Sequence, residues 1–362
     1  MLPSSAAQKR ERQRRPWGYL RTLATLALGA SAAVAGVWIG GSRAATPAQP
    51  PAQGQSRSSG RQQATQIISA ESDAVNLDVV VTDEDGRVLK ALKKDNFRVL
   101  DNGKPQVITN FAPATAPITI AVLMEYSGAA YNYFAYKAAN WSPGLLNHLE
   151  PQDWVALVTY DLKPTIQVDF TRNKSTVRDA ISSLSFPQFR EANLFDALLD
   201  TLDKLEKVKG KKSLLLISTG ANSFSANSFD DVLKRLRRTD VTIFCIGVAE
   251  SEYLNVYGPN VGYLQAKNQL DTFADQTGGI TYFPRFEGEL PDIFRSIAGL
   301  VRSQYSLAFS PANLVRDGKY HRLKVEIVGA DGKPLKVRDE KGKTRKVVVF
   351  ARQGYVAPTA KP

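Results

Sequence analysis

Ile118-Thr119-Ile120-Ala121-Val122-Leu123-Met124 is a short apolar run that stops at Glu125-Tyr126-Ser127-Gly128. A run of this length, bounded by turn residues, reads as a strand buried on both faces. Two similar runs follow, Ser213-Leu214-Leu215-Leu216-Ile217-Ser218 and Val241-Thr242-Ile243-Phe244-Cys245-Ile246-Gly247. Between and beyond them, helical periodicity spans residues 131–149, 174–184, 194–207, 230–238, 264–277 and 290–302. In the third of these, Leu194, Leu198, Leu202 and Leu205 fall on one face. Further strands are expected at 155–160, 165–170 and 280–283. The alternation predicts an α/β fold with a doubly wound, mostly parallel sheet. In such sheets ligands bind at the carboxyl ends of the strands. The loops at 125–129, 191–193 and 218–221 are therefore the expected functional rim.

Working outward, both flanks read as β. Leu77, Val79 and Val81 alternate, Asp83-Glu84-Asp85-Gly86 makes a turn, and Phe97-Arg98-Val99-Leu100 and Val107-Ile108-Thr109-Asn110-Phe111 are strands. Three short strands cannot close a sandwich alone. Beyond the α/β region, Leu323, Val325 and Ile327 alternate and Val347-Val348-Val349-Phe350 is another strand. The expectation is one small β-sandwich split into halves at 73–113 and 304–357, with the α/β domain at 114–303 inserted between them and a short tail at 358–362.

The first 44 residues are basic, with Lys9, Arg10, Arg12, Arg14, Arg15, Arg21 and Arg43 against Glu11 alone. Residues 22–41 carry no charge, which is long enough to span a bilayer. A basic segment at 1–21 before it should stay cytoplasmic and send the remainder outward. This predicts a single-pass signal anchor in the cytoplasmic membrane, with the C-terminal domain in the periplasm or cell envelope. Ser42-Arg43-Ala44 offers cleavage-like spacing, in which case the chain is secreted. Residues 42–72, rich in Ala, Pro, Gln, Ser and Gly, read as a disordered linker.

Half of the net charge of +12 lies in that N-terminal stretch, and the mild excess over the rest reads as solvated surface, so no nucleic-acid partner is expected. The one cysteine, Cys245, sits mid-strand as a buried hydrophobe. The two histidines, His148 and His321, read as surface structure, and no Ser-His-Asp order, phosphate-cradling loop or Cys/His zinc cluster is present.

The strand ending at Glu125-Tyr126-Ser127-Gly128-Ala129, the loop Glu191-Ala192-Asn193 and the strand end Leu216-Ile217-Ser218-Thr219-Gly220 resemble the von Willebrand factor type A domain over about residues 114–301. The flanks, Asp95-Asn96-Phe97-Arg98-Val99-Leu100-Asp101-Asn102-Gly103-Lys104-Pro105 and Arg352-Gln353-Gly354-Tyr355, resemble the VWFA-related proteins of acidobacterial-type genomes. The resemblance implies a divalent cation held by an Asp-x-Ser-x-Ser strand end, a threonine of a second loop and an aspartate of a third, its shell completed by an acidic residue of the partner. Magnesium needs such oxygen ligands in octahedral array. Here Glu125 stands for the aspartate and Ser127 matches the first serine. Ala129, Ala192 and Thr219 replace the second serine, the threonine and the third-loop aspartate.

The expectation is a non-enzymatic protein-binding module, of adhesion or scaffold type, with a degenerate metal site and no cofactor. Its binding rim comprises Glu125, Tyr126, Ser127, Asn193, Thr219, Asn222 and Phe224, with direct contacts from Tyr126, Asn193, Asn222 and Phe224 to a protein partner in the cell envelope. The alternatives are an adhesion protein with an atypical magnesium or manganese shell of Glu125, Ser127 and Thr219, and a hydrolase using the same rim.

Overall fold

The computed structural model describes residues 74–112, 117–258, 262–311, 316–338 and 342–359. The basic segment, the expected membrane segment at 22–41 and the linker lie outside the described residues. Among the described residues, no helix is long and apolar enough to cross a membrane.

The chain opens with β1 (Val75–Asp83), β2 (Phe97–Asp101), β3 (Lys104–Gln106) and β4 (Ile108–Ala112). The α/β region follows as β5 (Thr119–Glu125), α1 (Ala138–Leu146), β6 (Trp154–Tyr160), β7 (Pro164–Thr171), α2 (Lys174–Ser182) and α3 (Leu194–Glu206). It continues through β8 (Lys212–Ile217), α4 (Phe229–Leu236), β9 (Thr242–Ile246), α5 (Glu250–Tyr257), α6 (Gly262–Thr277), β10 (Thr281–Tyr282) and α7 (Leu290–Arg302). The chain closes with β11 (Tyr305–Phe309), β12 (Tyr320–Ile327), β13 (Val337–Arg338), β14 (Thr344–Arg345), β15 (Val347–Ala351) and β16 (Gly354–Val356).

The central sheet has the order β10-β9-β8-β5-β6-β7. All its pairings are parallel except that of β7, which returns antiparallel along β6. β5 lies at the centre, and every one of its residues is buried. Because side chains alternate along a strand, Ile120, Val122 and Met124 enter a core built with Trp141, Leu145, Phe294 and Ile297 of α1 and α7. Ala121 and Leu123 enter the opposite core with Leu194, Leu198, Leu202 and Leu205 of α3. The indole of Trp141 stacks on Phe294 with ring centroids 4.4 Å apart, fixing α1 against α7.

β-Strands from both flanks mix in two four-stranded antiparallel sheets, β15-β1-β11-β4 and β16-β12-β2-β3. β1 pairs with β11 in the register Val75↔Phe309 to Val79↔Tyr305, and β2 pairs with β12 from Asp101↔Leu323 to Phe97↔Ile327. The alternating residues Leu77, Val79, Val99, Leu307, Phe309 and Val325 fill a common core between the sheets. The chain before the α/β region thus meets the chain after it inside both sheets. At the first turn, Asp83 accepts hydrogen bonds from the backbone N–H groups of Asp85 and Arg87, both at 2.9 Å. Its carboxylate closes the turn expected at residues 83–86.

Two elements of the α/β region differ from the sequence reading. The helix expected over 131–149 is helical only from Ala138 to Leu146. The preceding residues form irregular turns in which the Trp141 indole N–H donates to the Phe134 carbonyl at 3.0 Å and so occupies an acceptor of the lost helical turns. The helix α5 was not expected. Its signals are the acidic first turn of Glu250 and Glu252, the i,i+4 pair Tyr253 and Tyr257, and Gly258, which stops it at φ +79°.

Candidate functional site

The rim forms where the ends of β5, β6 and β8 come together. Glu125, the last residue of β5, has no solvent-exposed surface. Its Oε1 accepts a hydrogen bond from Ser127 Oγ at 2.9 Å. Its Oε2 accepts from the Thr219 backbone N–H at 2.7 Å, from Thr219 Oγ1 at 2.9 Å and from Ser218 Oγ at 3.1 Å. One carboxylate thereby ties the end of β5 to the loop after β8. A glutamate carries its carboxylate about 1.5 Å further than an aspartate does.

A second tier supports these donors. Tyr160, at the end of β6, donates to Ser218 Oγ at 2.8 Å. The hydroxyls of Tyr257 and Thr219 lie 3.3 Å apart. Tyr253 and Tyr257 of α5 lie with ring centroids 4.6 Å apart, and Arg190 donates to the Val256 carbonyl at 3.2 Å. Burial raises the pKa of Glu125, against the opposing hydrogen bonds from Thr219, Ser127 and Ser218. Burial, with the charge of Glu125, raises those of Tyr160 and Tyr257.

This donor set does not fit a hard divalent cation. Ala129 and Ala192 are buried methyl groups at positions where the resemblance calls for hydroxyls. Thr219 brings no charge, its N–H and hydroxyl both donate to Glu125, and its Oγ1 also accepts from the Ala221 N–H. A magnesium shell needs about six oxygens at 2.0–2.1 Å, and the one carboxylate here already accepts four hydrogen bonds. Among the described residues, no group of three or more His, Cys, Asp or Glu could hold a metal ion.

The structure separates the expected contact residues. Phe224 is exposed (71%) and Tyr126 is half-buried. Asn193, expected as a contact, is buried: it donates to the Leu162 carbonyl at 3.1 Å and accepts from the Phe224 N–H at 2.9 Å. Asn222, also expected as a contact, is half-buried and accepts from the Phe195 N–H at 3.2 Å, covering one of the free donors at the start of α3. Both asparagines hold loops together, because carboxamides offer a donor and an acceptor where loop backbone lacks partners.

Sequence reasoning missed the aromatics that do reach solvent beside the rim. Phe186 (67%), Phe189 and Tyr136 are exposed. Tyr131 joins Phe186, Tyr126 and Tyr136 with centroid separations of 4.9, 6.3 and 6.0 Å. The available signal was Phe186 and Phe189 in a Ser-Phe-Pro-Gln-Phe segment outside any periodic run. The histidines lie elsewhere. His148 is exposed, while His321, expected at the surface, is half-buried in the sandwich, with Nδ1 2.9 Å from Asp101.

No curated protein sequence matches the chain. Solved structures similar to it include the conserved hypothetical protein BatB from Bacteroides thetaiotaomicron (14% identity, 52% of this chain and 100% of that one, TM-score 0.39). Another is von Willebrand factor type A from Catenulispora acidiphila (11% identity, 72% and 75%, TM-score 0.42). A third, proximal thread matrix protein 1 from the mussel byssus, is matched over about half its length (13% identity, 52% and 49%, TM-score 0.41). The family profile of the von Willebrand factor type A domain matches residues 120–295. Those residues hold the six-stranded sheet, its helices and the rim loops, and over them this chain is a von Willebrand factor type A domain.

Proposed function

We propose that the chain is a non-enzymatic protein-binding module, of adhesion or scaffold type, that acts outside the cytoplasm and engages a protein partner without a bridging metal ion. Residues 22–41 tether it to the cytoplasmic membrane in this reading. One observation carries the metal-free part: the buried carboxylate of Glu125 is bound by donors of its own chain, so the metal-site rim is closed from within. The partner then meets the exposed surface beside it, where Phe224, Phe186, Phe189 and Tyr136 offer rigid aromatic area. Exposed aromatics of this kind supply much of the energy of protein interfaces.

The test is calorimetric titration of the full chain with magnesium and manganese, together with partner capture from envelope membranes in chelator and in magnesium. The expected result is no heat of binding and equal capture. Capture lost in chelator, or a stoichiometric cation, would favour the atypical magnesium or manganese shell of Glu125, Ser127 and Thr219 instead. Capture unchanged by Phe186→Ser/Phe224→Ser would remove the aromatic surface from the reading.

A further inference from the structure

A cleft of about 650 Å³ opens on the sandwich, away from the rim, where β2, β12, β14 and β15 approach one another. That size is typical of small-molecule sites. Its floor is apolar: Ile327 is buried, and Leu335, Val347 and Val349 are half-covered. Its walls are basic, with Arg98, Lys324, Lys336, Arg345 and Lys346, and among the described residues Glu326 is the one acidic residue lining it. Glu326 lies 2.8 Å from Lys324 and 3.5 Å from Arg98, and Arg345 lies 3.2 Å from Glu84. Lys336 and Lys346 are exposed and make no ion pair among the described residues. The hydrogen bond from Lys324 and the charge of Arg98 hold the Glu326 carboxyl below its ordinary range, consistent with a positive local field.

We propose that this cleft binds an anionic phospholipid, with the phosphate head between Lys336 and Lys346 and the first carbons of the acyl chains on the Ile327, Leu335 and Val347 floor. Two features select that occupant together. A hydrophilic polyanion would leave the floor without a partner, and an uncharged apolar ligand would leave the lysines unanswered. Among the described residues, the lining holds no aromatic ring on which a nucleic-acid base would stack. Basic side chains are drawn to anionic lipid heads, and buried acyl carbons add hydrophobic stabilisation to that attraction. The site is independent of the metal-free reading of the rim.

The experiment uses the full chain in neutral detergent, with bound lipid counted by native mass spectrometry. The probes are dihexanoyl phosphatidylglycerol, dihexanoyl phosphatidylcholine and glycerol 3-phosphate. Phosphatidylglycerol is expected to bind at least about tenfold tighter than either of the others, and Lys336→Glu/Lys346→Glu to lower that affinity by about tenfold or more. Lys94→Glu/Lys104→Glu, elsewhere on the sandwich, should leave it unchanged. Both lysine pairs are exposed, so the variants should keep the wild-type melting temperature. Equal binding of the two lipids, equal binding of glycerol 3-phosphate, or an unchanged affinity in the Lys336/Lys346 variant would overturn the proposal.

Discussion

The Oε2 atom of Glu125 lies 2.7 Å from the backbone nitrogen of Thr219, across the gap between the ends of β5 and β8. That contact makes a carboxylate into a structural staple. Three donors converge on Oε2 and one on Oε1. Glutamine keeps an acceptor for the three, and its amide can donate to Ser127 Oγ. Glu125→Gln is therefore expected to unfold within about 1 kcal/mol of the wild type, and to be the more stable at high pH, because it removes a charge that burial disfavours. Glu125→Ala strands the donors in the interior and is expected to cost about 3–5 kcal/mol. Urea denaturation of the two variants checks this. A glutamine variant as damaged as the alanine one would mean that the charge, not the hydrogen bonding, holds the loops.

If the rim lacks a cation because of its donor set, restoring the set should restore the ion. The combined variant Glu125→Asp/Ala129→Ser/Ala192→Thr/Thr219→Asp shortens the staple and supplies two hydroxyls and a second carboxylate. Calorimetry is expected to register one magnesium or manganese per chain in this variant and none in the wild type. A folded variant that stays silent would show that the backbone of the loops, rather than their side chains, excludes the ion.

Much of this was written in the sequence, and the part that was not has a common cause. The runs at Ile118–Met124 and Ser213–Ser218 could be read because burial on both faces leaves a one-dimensional signature. The same held for Leu194, Leu198, Leu202 and Leu205. The eroded ligand positions Ala129, Ala192 and Thr219 were equally plain as residue types. What Glu125 does instead was not, since its four donors come from positions 127, 218 and 219 and meet only when the strands are side by side. What Asn193 and Asn222 hold was hidden for the same reason. An asparagine in a loop looks the same whether it faces a partner or clamps the backbone of a loop about 30 residues away. Helix α5 left only a weak trace, because eight residues give little periodicity.

The aromatic surface gives a separable prediction. Phe186 and Phe224 are exposed, so replacing each by serine should change stability by less than about 0.5 kcal/mol. Partner affinity should fall by about tenfold or more for the pair if the surface is an interface centre. Tyr126→Ala is a poorer test, since Tyr126 is half-buried against Tyr131 and its loss would disturb the loop as well.

A pH dependence should come from the seam between the sandwich and the α/β region. Asp78 of β1 accepts a hydrogen bond from Ser306 Oγ at 2.6 Å, and burial raises its pKa to about 6, with Ser306 and Lys211 opposing. The folded chain therefore holds this proton to a higher pH than the unfolded chain, whose carboxyl titrates near 3.8. Between those two values the folded state binds more protons. Its contribution to stability is full below about 4 and is lost as the pH rises through about 6. Asp78→Asn should remove that slope and raise stability at pH 7 by about 1–3 kcal/mol. Denaturation midpoints at half-unit steps from pH 4 to 7.5 check the sign. A wild-type midpoint that climbs across this window, and a variant that follows it, would contradict the assignment.

The last prediction concerns how the two parts of the fold are joined. Gly278 ends α6 at φ +81°, a conformation that side chains other than glycine rarely adopt. A Cβ there would stand 2.5 Å from the Ala351 carbonyl carbon and 2.6 Å from the Arg352 nitrogen, where β15 leads into β16. Gly210 has a similar φ of +85°, but a Cβ on it would meet nothing within 4 Å. The two glycines separate conformational strain from close approach. Gly210→Ala should cost about 1 kcal/mol, from backbone strain alone. Gly278→Ala should cost about 2–4 kcal/mol, because backbone must also move. Hydrogen exchange locates the damage: the added exchange in Gly278→Ala is expected in β15 and β16 as well as at the end of α6, and in Gly210→Ala only near its own turn. Equal costs for the two would mean that the sandwich yields freely to the helix, and that their contact at Ala351 and Arg352 does not hold the fold together.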